Sequence, residues 1–549
     1  MKIQKHAAIF LLFMLAAGIA KGQLLSAENT HDLDKRKVNV RNHGQPSDVI
    51  VDEANRQFQV IYTTNTKRKS IQIDKLTFDY DLKFVKEETE EIELVKSKKS
   101  KYTRNYRGDE YTIEGVTAIR NNAGRLEFQK LQTSYKYNWF SGAYKKSVKK
   151  LDKAKFNDDG KRKLTYVSHY DNPETGEVLA IAGQPDKFFQ VKTYKVLRVN
   201  ANLDKVSEAD INVDYVQRLM YAAPLPAGDE SIASDFVMVL AAAGGKGVYK
   251  PKINADPNVT NWTYVRISPE GEIREKLNFD TKALNWQVLG ATEKDGSVYV
   301  YGVGESKGVG EDHQKFTAVI GTGKQDLFQI LKVSGGKVDF VSAPGLDEIN
   351  EKNEKPASQK KKSEYSGKSV VFNDIRVTPS GDVFITAQDF TNLGTKGGPI
   401  YKDLFLFHFA ANGTFKKLYG FENPQKKAAN TIPTEGTIFE GSNGKFYWFL
   451  SALNDVYQRQ WKSWSYLPGD VVKETTTTIT IPLIQYRGGQ MDIAAGKIDD
   501  FQTFGGGDFN IFPNTPWIHI EGGKKMVFLG FGGEKGRQLW LGKFDPTQL

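Results

Sequence analysis

Apolar and polar residues alternate in steps of two along most of the chain, and short clusters of Asn, Asp, Gly, Glu and Lys interrupt the alternation at intervals. Period two turns one face of an extended strand toward a core and the other toward water, and the interrupting residues supply the positive φ angles of tight turns. The stretch "IRVTPSGDVFITAQDF" (375–390) shows the unit: a strand, a Pro-Ser-Gly-Asp turn, and a second strand richer in apolar residues. The same hairpin recurs at 49–62, 115–129, 164–183, 286–302, 436–449 and 517–531.

A second hairpin type is interleaved with the first, at 75–85, 195–206, 264–277, 328–341, 404–419 and 492–505. Its second strand is more polar and more charged, as an outermost strand should be. One hairpin of each type gives four antiparallel strands per unit, with a period above ~40 residues. This pattern resembles the β-propeller superfamily over essentially the whole mature chain. No WD, kelch or quinoprotein signature recurs, so the resemblance implies architecture and transfers no functional residue.

Units begin near 49, 115, 164, 215, 286, 375, 436 and 517. The second and fourth have the weakest signals, because "SVKKLDKAKF" (147–156) is a poor outer hairpin and "VQRLMYAAPLP" (215–225) lacks a tight turn. The expected fold is therefore all-β, a β-propeller of seven or eight four-stranded blades. The last unit ends one strand short, at 537–544, and the N-terminal "KVNV" (37–40) has no partner of its own. An N-terminal strand is thus expected to complete the last blade and close the ring, removing two raw sheet edges.

The first segment, "MKIQKHAAIFLLFMLAAGIAKGQ", places Lys2 and Lys5 ahead of an apolar run from Ala7 to Ile19 and small residues near its end. Residues 1–22 read as a secretory signal peptide, too short for a membrane anchor, leaving 23–549 as a single domain. No later stretch approaches the roughly 18 uninterrupted apolar residues of a membrane helix. The sequence contains no Cys, so disulfides, thiolate ligands and a lipid-modified cysteine are excluded and the core alone must hold the fold. The expected location is the periplasm, or loose association with the outer membrane of a Gram-negative cell. The net charge of +10 falls to +7 when Lys2, Lys5 and Lys21 leave with the signal (10 − 3). That mild excess permits attraction to acidic envelope surfaces and gives no argument for nucleic acid.

In a propeller blade, the first-to-second and third-to-fourth connections leave one rim, and all other connections leave the opposite one. Here the former are short and the latter long: 86–112, 130–146, 242–262, 303–326, 342–370, 389–402 and 451–488. Long ordered loops are uncommon without a role, so this rim is the expected binding surface. Two insertions are aromatic, with Tyr135, Tyr137 and Trp139 in one and Tyr457, Trp461, Trp464 and Tyr466 in the other. Such rings offer large apolar area with a polar tip, suited to protein surfaces or sugars, and equally able to pack loops onto the body. The segments 86–104 and 348–369 are strongly charged, and the second is expected to be mobile.

Signals for catalysis are sparse. His408 and His519 alternate with apolar strand residues and read as structural, whereas His313, beside Glu311 and Asp312, is the best single base or ligand. His169 and Asp171 are expected to make turn hydrogen bonds. No metal-binding or phosphate-loop spacing occurs, so no cofactor or metal is expected. The preferred expectation is a non-enzymatic exported protein that binds an envelope protein or glycan through its long-loop rim. The alternative is an envelope polysaccharide hydrolase or lyase with acids at a central channel, because sequence gives no carboxylate separations.

Overall fold

The computed structural model describes residues 24–34, 37, 46–66, 70–93, 110–138, 143–157, 163–172, 174–185, 191–212, 217–225, 233–242, 252–254, 262–305, 313–315, 325–392, 399–423, 433–467, 471–507, 509–511, 517–532 and 537–548. Among them the chain is all-β, with one short α-helix, Leu346–Glu351. Eight sheets of three or more strands follow one another: sheet 1 (48–93), sheet 2 (110–154), sheet 3 (165–212), sheet 4 (217–279), sheet 5 (284–342), sheet 6 (370–421), sheet 7 (435–503) and sheet 8 (518–544). Every unit start read from the alternation falls inside, or within two residues of, the first strand of one of these sheets.

Sheet 8 takes its outermost strand from the other end of the chain. Ala27–Asp32 pairs antiparallel with Gln538–Phe544, from Ala27 opposite Lys543 to Asp32 opposite Gln538. The expected strand at 37–40 is not the one used: Lys37 lies in a turn against sheet 1, and 38–40 fall outside the described residues. An outermost strand buries little, so "AENTHD" lacks the apolar alternation that makes a strand visible in sequence. Buried Leu24 and Leu25, just before it, pack into the core between sheets 7 and 8.

Seven clusters of buried apolar side chains join the sheets in pairs. They link sheets 2 and 3, 3 and 4, 4 and 5, 5 and 6, 6 and 7, 7 and 8, and finally 8 and 1. First strands of consecutive sheets also lie side by side through most of the series. Small sheets stacked face to face, with the last against the first, are consistent with a β-propeller. Between sheets 1 and 2 no such cluster exists among the described residues. The positions alternating with the core residues there are largely polar: Gln57, Gln59, Lys75 and Thr77 on sheet 1, Glu127 and Gln129 on sheet 2.

Sheet 2 departs from its neighbours in number and in sense. It has three strands, Glu110–Arg120, Leu126–Asn138 and Ala143–Ala154. In other sheets the turns after the first strands meet on one side, here called the turn rim. Arg56 Nη2 of sheet 1 lies 2.8 Å from Glu521 of sheet 8, Ala233 N–H of sheet 4 donates to Glu174 of sheet 3, and Ser380 N–H of sheet 6 donates to Glu440 of sheet 7. The corresponding turn of sheet 2 meets the beginning of sheet 3 instead. Leu126 N–H donates to Leu164 O at 2.9 Å and Tyr166 N–H to Gly124 O at 3.2 Å, while Thr117 Oγ1 lies 3.2 Å from His169 further along. Sheet 2 therefore runs opposite to sheet 3, with its first turn on the other side, the crossover rim. Of the two units with weak sequence signals, the second is irregular and the fourth is an ordinary four-stranded sheet.

Candidate functional site

Sheet 7 carries the largest projection. The segment 451–488, expected as a loop, is β-structure: Phe446–Leu467 and Val471–Asp492 pair along their whole length with one irregularity at Leu453/Asp455. The first strand, Glu435–Glu440, covers only 446–451. Residues 455 to 467, thirteen positions (467 − 455 + 1), and their partners thus form a two-stranded ribbon about 40 Å long at ~3.3 Å per residue. The strand Phe446–Leu467 starts at the turn rim, so the ribbon leaves at the crossover rim and carries its tip beyond it. Tyr457, Trp461, Trp464 and Tyr466 all belong to it, opposite Ile481, Thr477, Glu474 and Val472. Tyr457 and Trp461 share one strand parity, and Trp464 and Tyr466 the other.

Tyr135 and Tyr137 lie at the far end of Leu126–Asn138, opposite Lys146 and Tyr144. Trp139 lies outside the described residues. Because sheet 2 is reversed, this hairpin leaves toward the turn rim, and the structure does not bring the two aromatic groups onto one surface. Assigning rims from sequence requires four strands in every unit, and a three-stranded reversed sheet breaks that count.

Parts of the other long segments lie in strands or pack on the sheets. Residues 86–93 lie in the outer strand Phe84–Glu93, 110–112 open the strand Glu110–Arg120, and 94–109 fall outside the described residues. Insertions of sheets 4 and 5 meet through Lys252–Asn254 and His313–Lys315, placing His313 opposite Asn254. The segment 348–369, expected to be mobile, is a packed strap. Its Asn353–Glu354 adds a parallel strand to sheet 6, Tyr365 and Ile349 are buried, and Asn350 exchanges two hydrogen bonds with the Tyr365 backbone, at 2.9 and 3.0 Å. Sparse but well-spaced apolar residues suffice to hold it over a sheet edge.

His408 is buried, stacked on Phe384, with Nε2 3.1 Å from Asp382, in keeping with a structural role. His169 sits on a first strand rather than in a turn, with its ring nitrogens 2.8 Å from the Tyr166 hydroxyl and 3.2 Å from Thr117 Oγ1. Three carboxyls on first strands, Asp171, Asp374 and Glu435, are open to water yet surrounded by protein. Burial raises each above its ordinary range, against the pull of His169 on Asp171 and of Arg376 on Asp374.

At the turn rim, the ends of the first strands of sheets 5 to 8 surround a cavity of about 430 Å³. Lys294, Arg376, Glu440 and His519 line it together with Thr378 and Phe439. Sequence reasoning missed Arg376 and His519 as site residues, because both alternate with apolar positions. Only the convergence of four separate strands brings them together.

Asp34, Asp74 and Glu87 gather with ligand atoms within 4.8 Å of one another, a spacing that could hold a cation. The Lys37 ammonium already lies at 3.0, 3.5 and 2.6 Å from them, so the cluster is an ion-pair clamp. No helix among the described residues is long and apolar enough to cross a membrane.

No family model matches the sequence, and no curated protein matches it. Among solved structures the chain is similar to one from the crystal structure of BBS1N in complex with ARL6DN, at 9% identity, covering 79% of this chain and 92% of that one, TM-score 0.22. It is also similar to lignostilbene dioxygenase of Pseudomonas brassicacearum, at 10% identity, 86% and 92% coverage and TM-score 0.27. A Synechocystis apocarotenoid oxygenase gives 10% identity, 80% and 95% coverage and TM-score 0.26. Likeness at this level brings no residue role to this chain.

Proposed function

We propose that this chain is an exported binding protein, an eight-bladed propeller whose last blade is completed by Ala27–Asp32, and that it captures another envelope protein or glycan through the sheet 7 ribbon. The observation that carries this reading is the ribbon itself. A two-stranded hairpin is marginally stable in water on its own, and its edges offer unpaired backbone groups to another chain. Thirteen paired positions extending past the cover of the first strand, with four large aromatic residues among them, are expensive to maintain without a partner. The test trims the ribbon to Asp455 and Leu483 joined by an Asn-Gly turn and compares both proteins in cross-linking pull-downs from envelope extract. The reading requires the trimmed protein to lose its cross-linked partner while keeping its melting temperature; equal capture by both would reject it.

The water-accessible, raised carboxyls of Asp171, Asp374 and Glu435 favour a second reading, an envelope polysaccharide hydrolase or lyase with its acids along the axis. That reading requires release of new sugar ends from envelope polysaccharide and its loss in Asp374→Asn or Glu435→Gln.

A further inference from the structure

The cavity at the turn rim holds one guanidinium with no hydrogen-bonded partner among the described residues. The Arg376 side chain is exposed to it and, among the described residues, makes no ion pair or hydrogen bond. The other ionic groups around it have partners. Glu440 Oε2 accepts the Ser380 N–H at 3.0 Å, and Lys294 Nζ lies 3.4 Å from Asp295. His519 faces the same space, and burial together with the nearby Arg376 holds its imidazole below the ordinary value, so that it is neutral at pH 7 and can donate one hydrogen bond. Val377, Pro379 and Ile438 complete the wall with apolar surface.

A planar guanidinium presents two parallel N–H donors to one carboxylate, which is the geometry Arg recognises best. A guanidinium with the carboxyls of Asp374 and Glu440 nearby suits a monoanion and opposes a dianion such as phosphate. We propose that this cavity is a binding site for one carboxylate-bearing small molecule or sugar residue, with Arg376 gripping the carboxylate, His519 donating to a neighbouring oxygen, and the apolar wall holding the carbon skeleton. About 430 Å³ accommodates a single sugar ring or an organic acid of similar size. The cavity lies on the opposite rim from the ribbon tip, so this site and the capture of a partner stand or fall separately.

The test is calorimetric titration of the full mature chain with glucuronate, glucose and inorganic phosphate. Glucuronate is expected to bind at one site per chain, phosphate more weakly, and glucose not detectably. Arg376→Gln should weaken glucuronate at least about tenfold with the melting temperature unchanged, the loss expected for a charge-assisted pair. Arg376→Lys, which keeps the charge without the fork, should fall between and decides the matter if the Gln variant does not fold. Arg274→Gln, on the outer strand Ile273–Phe279 of sheet 4 and outside the cavity lining, should bind as wild type. The proposal is overturned if glucuronate does not bind into the millimolar range, if glucose binds as well, if phosphate binds more tightly, or if the Arg376 variants bind as wild type.

Discussion

Lys37 Nζ lies 2.6 Å from Glu87 Oε1, with the lysine 1% exposed. The contact ties the chain just after its N-terminal strand to the outer strand of sheet 1, while that N-terminal strand is itself part of sheet 8. Asp74, 0% exposed, and Asp34 complete the cage. The clamp thus fastens sheet 1 to sheet 8 at the place where the chain's two ends meet, beside the apolar cluster those sheets share.

Removing the cation takes the Lys37 charge away from the buried Asp74, so Lys37→Met should cost about 3 kcal/mol, read as a fall in the urea midpoint. Burial pulls the Lys37 pKa down, but hydrogen bonds to Glu87 and Asp34 outweigh it and leave it raised. A raised folded value means the stabilisation is complete below the unfolded lysine value near ~10.4 and disappears as pH climbs through the folded one. The gap between wild type and Lys37→Met should therefore be full at pH 8 and shrink above pH ~10.4. A gap independent of pH would show that the clamp is not ionic.

The strap over sheet 6 depends on two residues. Tyr365 is 1% exposed and packs edge-on to Phe405 and Phe407, so Tyr365→Ala should cost about 3 kcal/mol or more. Gly367 has φ +68°, and an added Cβ would come within 2.2 Å of the Gln325 carbonyl oxygen. Gly367→Ala should therefore destabilise by roughly 1–3 kcal/mol despite adding one methyl. Chemical denaturation checks both, and wild-type midpoints would mean the strap contributes nothing to stability.

Burial and the like charge of Asp403 push Asp389 up to about 7. A carboxyl raised on folding costs nothing while protonated in both states, and stability falls as pH rises from the unfolded value near ~3.9 through the folded one. Asp389→Asn should therefore be near neutral at pH 4 and stabilising at pH 8, by on the order of 2 kcal/mol. Thermal melts across that range check it, and a stabilisation that does not grow with pH would contradict it.

Replacing Trp461 and Trp464 with Ala tests whether those rings serve capture or packing. They lie on the ribbon past the cover of the first strand of sheet 7, so the melting temperature should change by less than the ~1 °C expected of a 1 kcal/mol loss in a protein of this size, while cross-linked partner declines. A collapse of stability would assign the rings to packing.

Much of this architecture was legible in the sequence, because period-two alternation and turn residues mark strands wherever one face is buried. Phe384, Ile385 and Ala387 against the turn at 378–382 are readable for that reason. What stayed hidden were the places where burial is slight or direction matters. The strand Ala27–Asp32 is mostly exposed, so nothing in its composition announces it. The reversed sense of sheet 2 leaves no trace in alternation, since a strand reads the same with either rim at its end. The ribbon's strands do not stand out from loop in the sequence, because Thr475 to Thr478 and the Gln460-Trp461-Lys462-Ser463 stretch opposite them show no clean apolar face. Arg376 and His519 meet only through the convergence of two sheets whose first strands begin 148 residues apart (518 − 370).

The most direct measurement uses the absence of native cysteine. A photo-cross-linker is attached to Trp464→Cys on the ribbon and, separately, to Asn202→Cys in the third-to-fourth turn of sheet 3, and each protein is irradiated in intact cells. The account predicts a discrete cross-linked species from position 464 and none from position 202. Equal labelling at both positions, or adducts from position 202 alone, would contradict it.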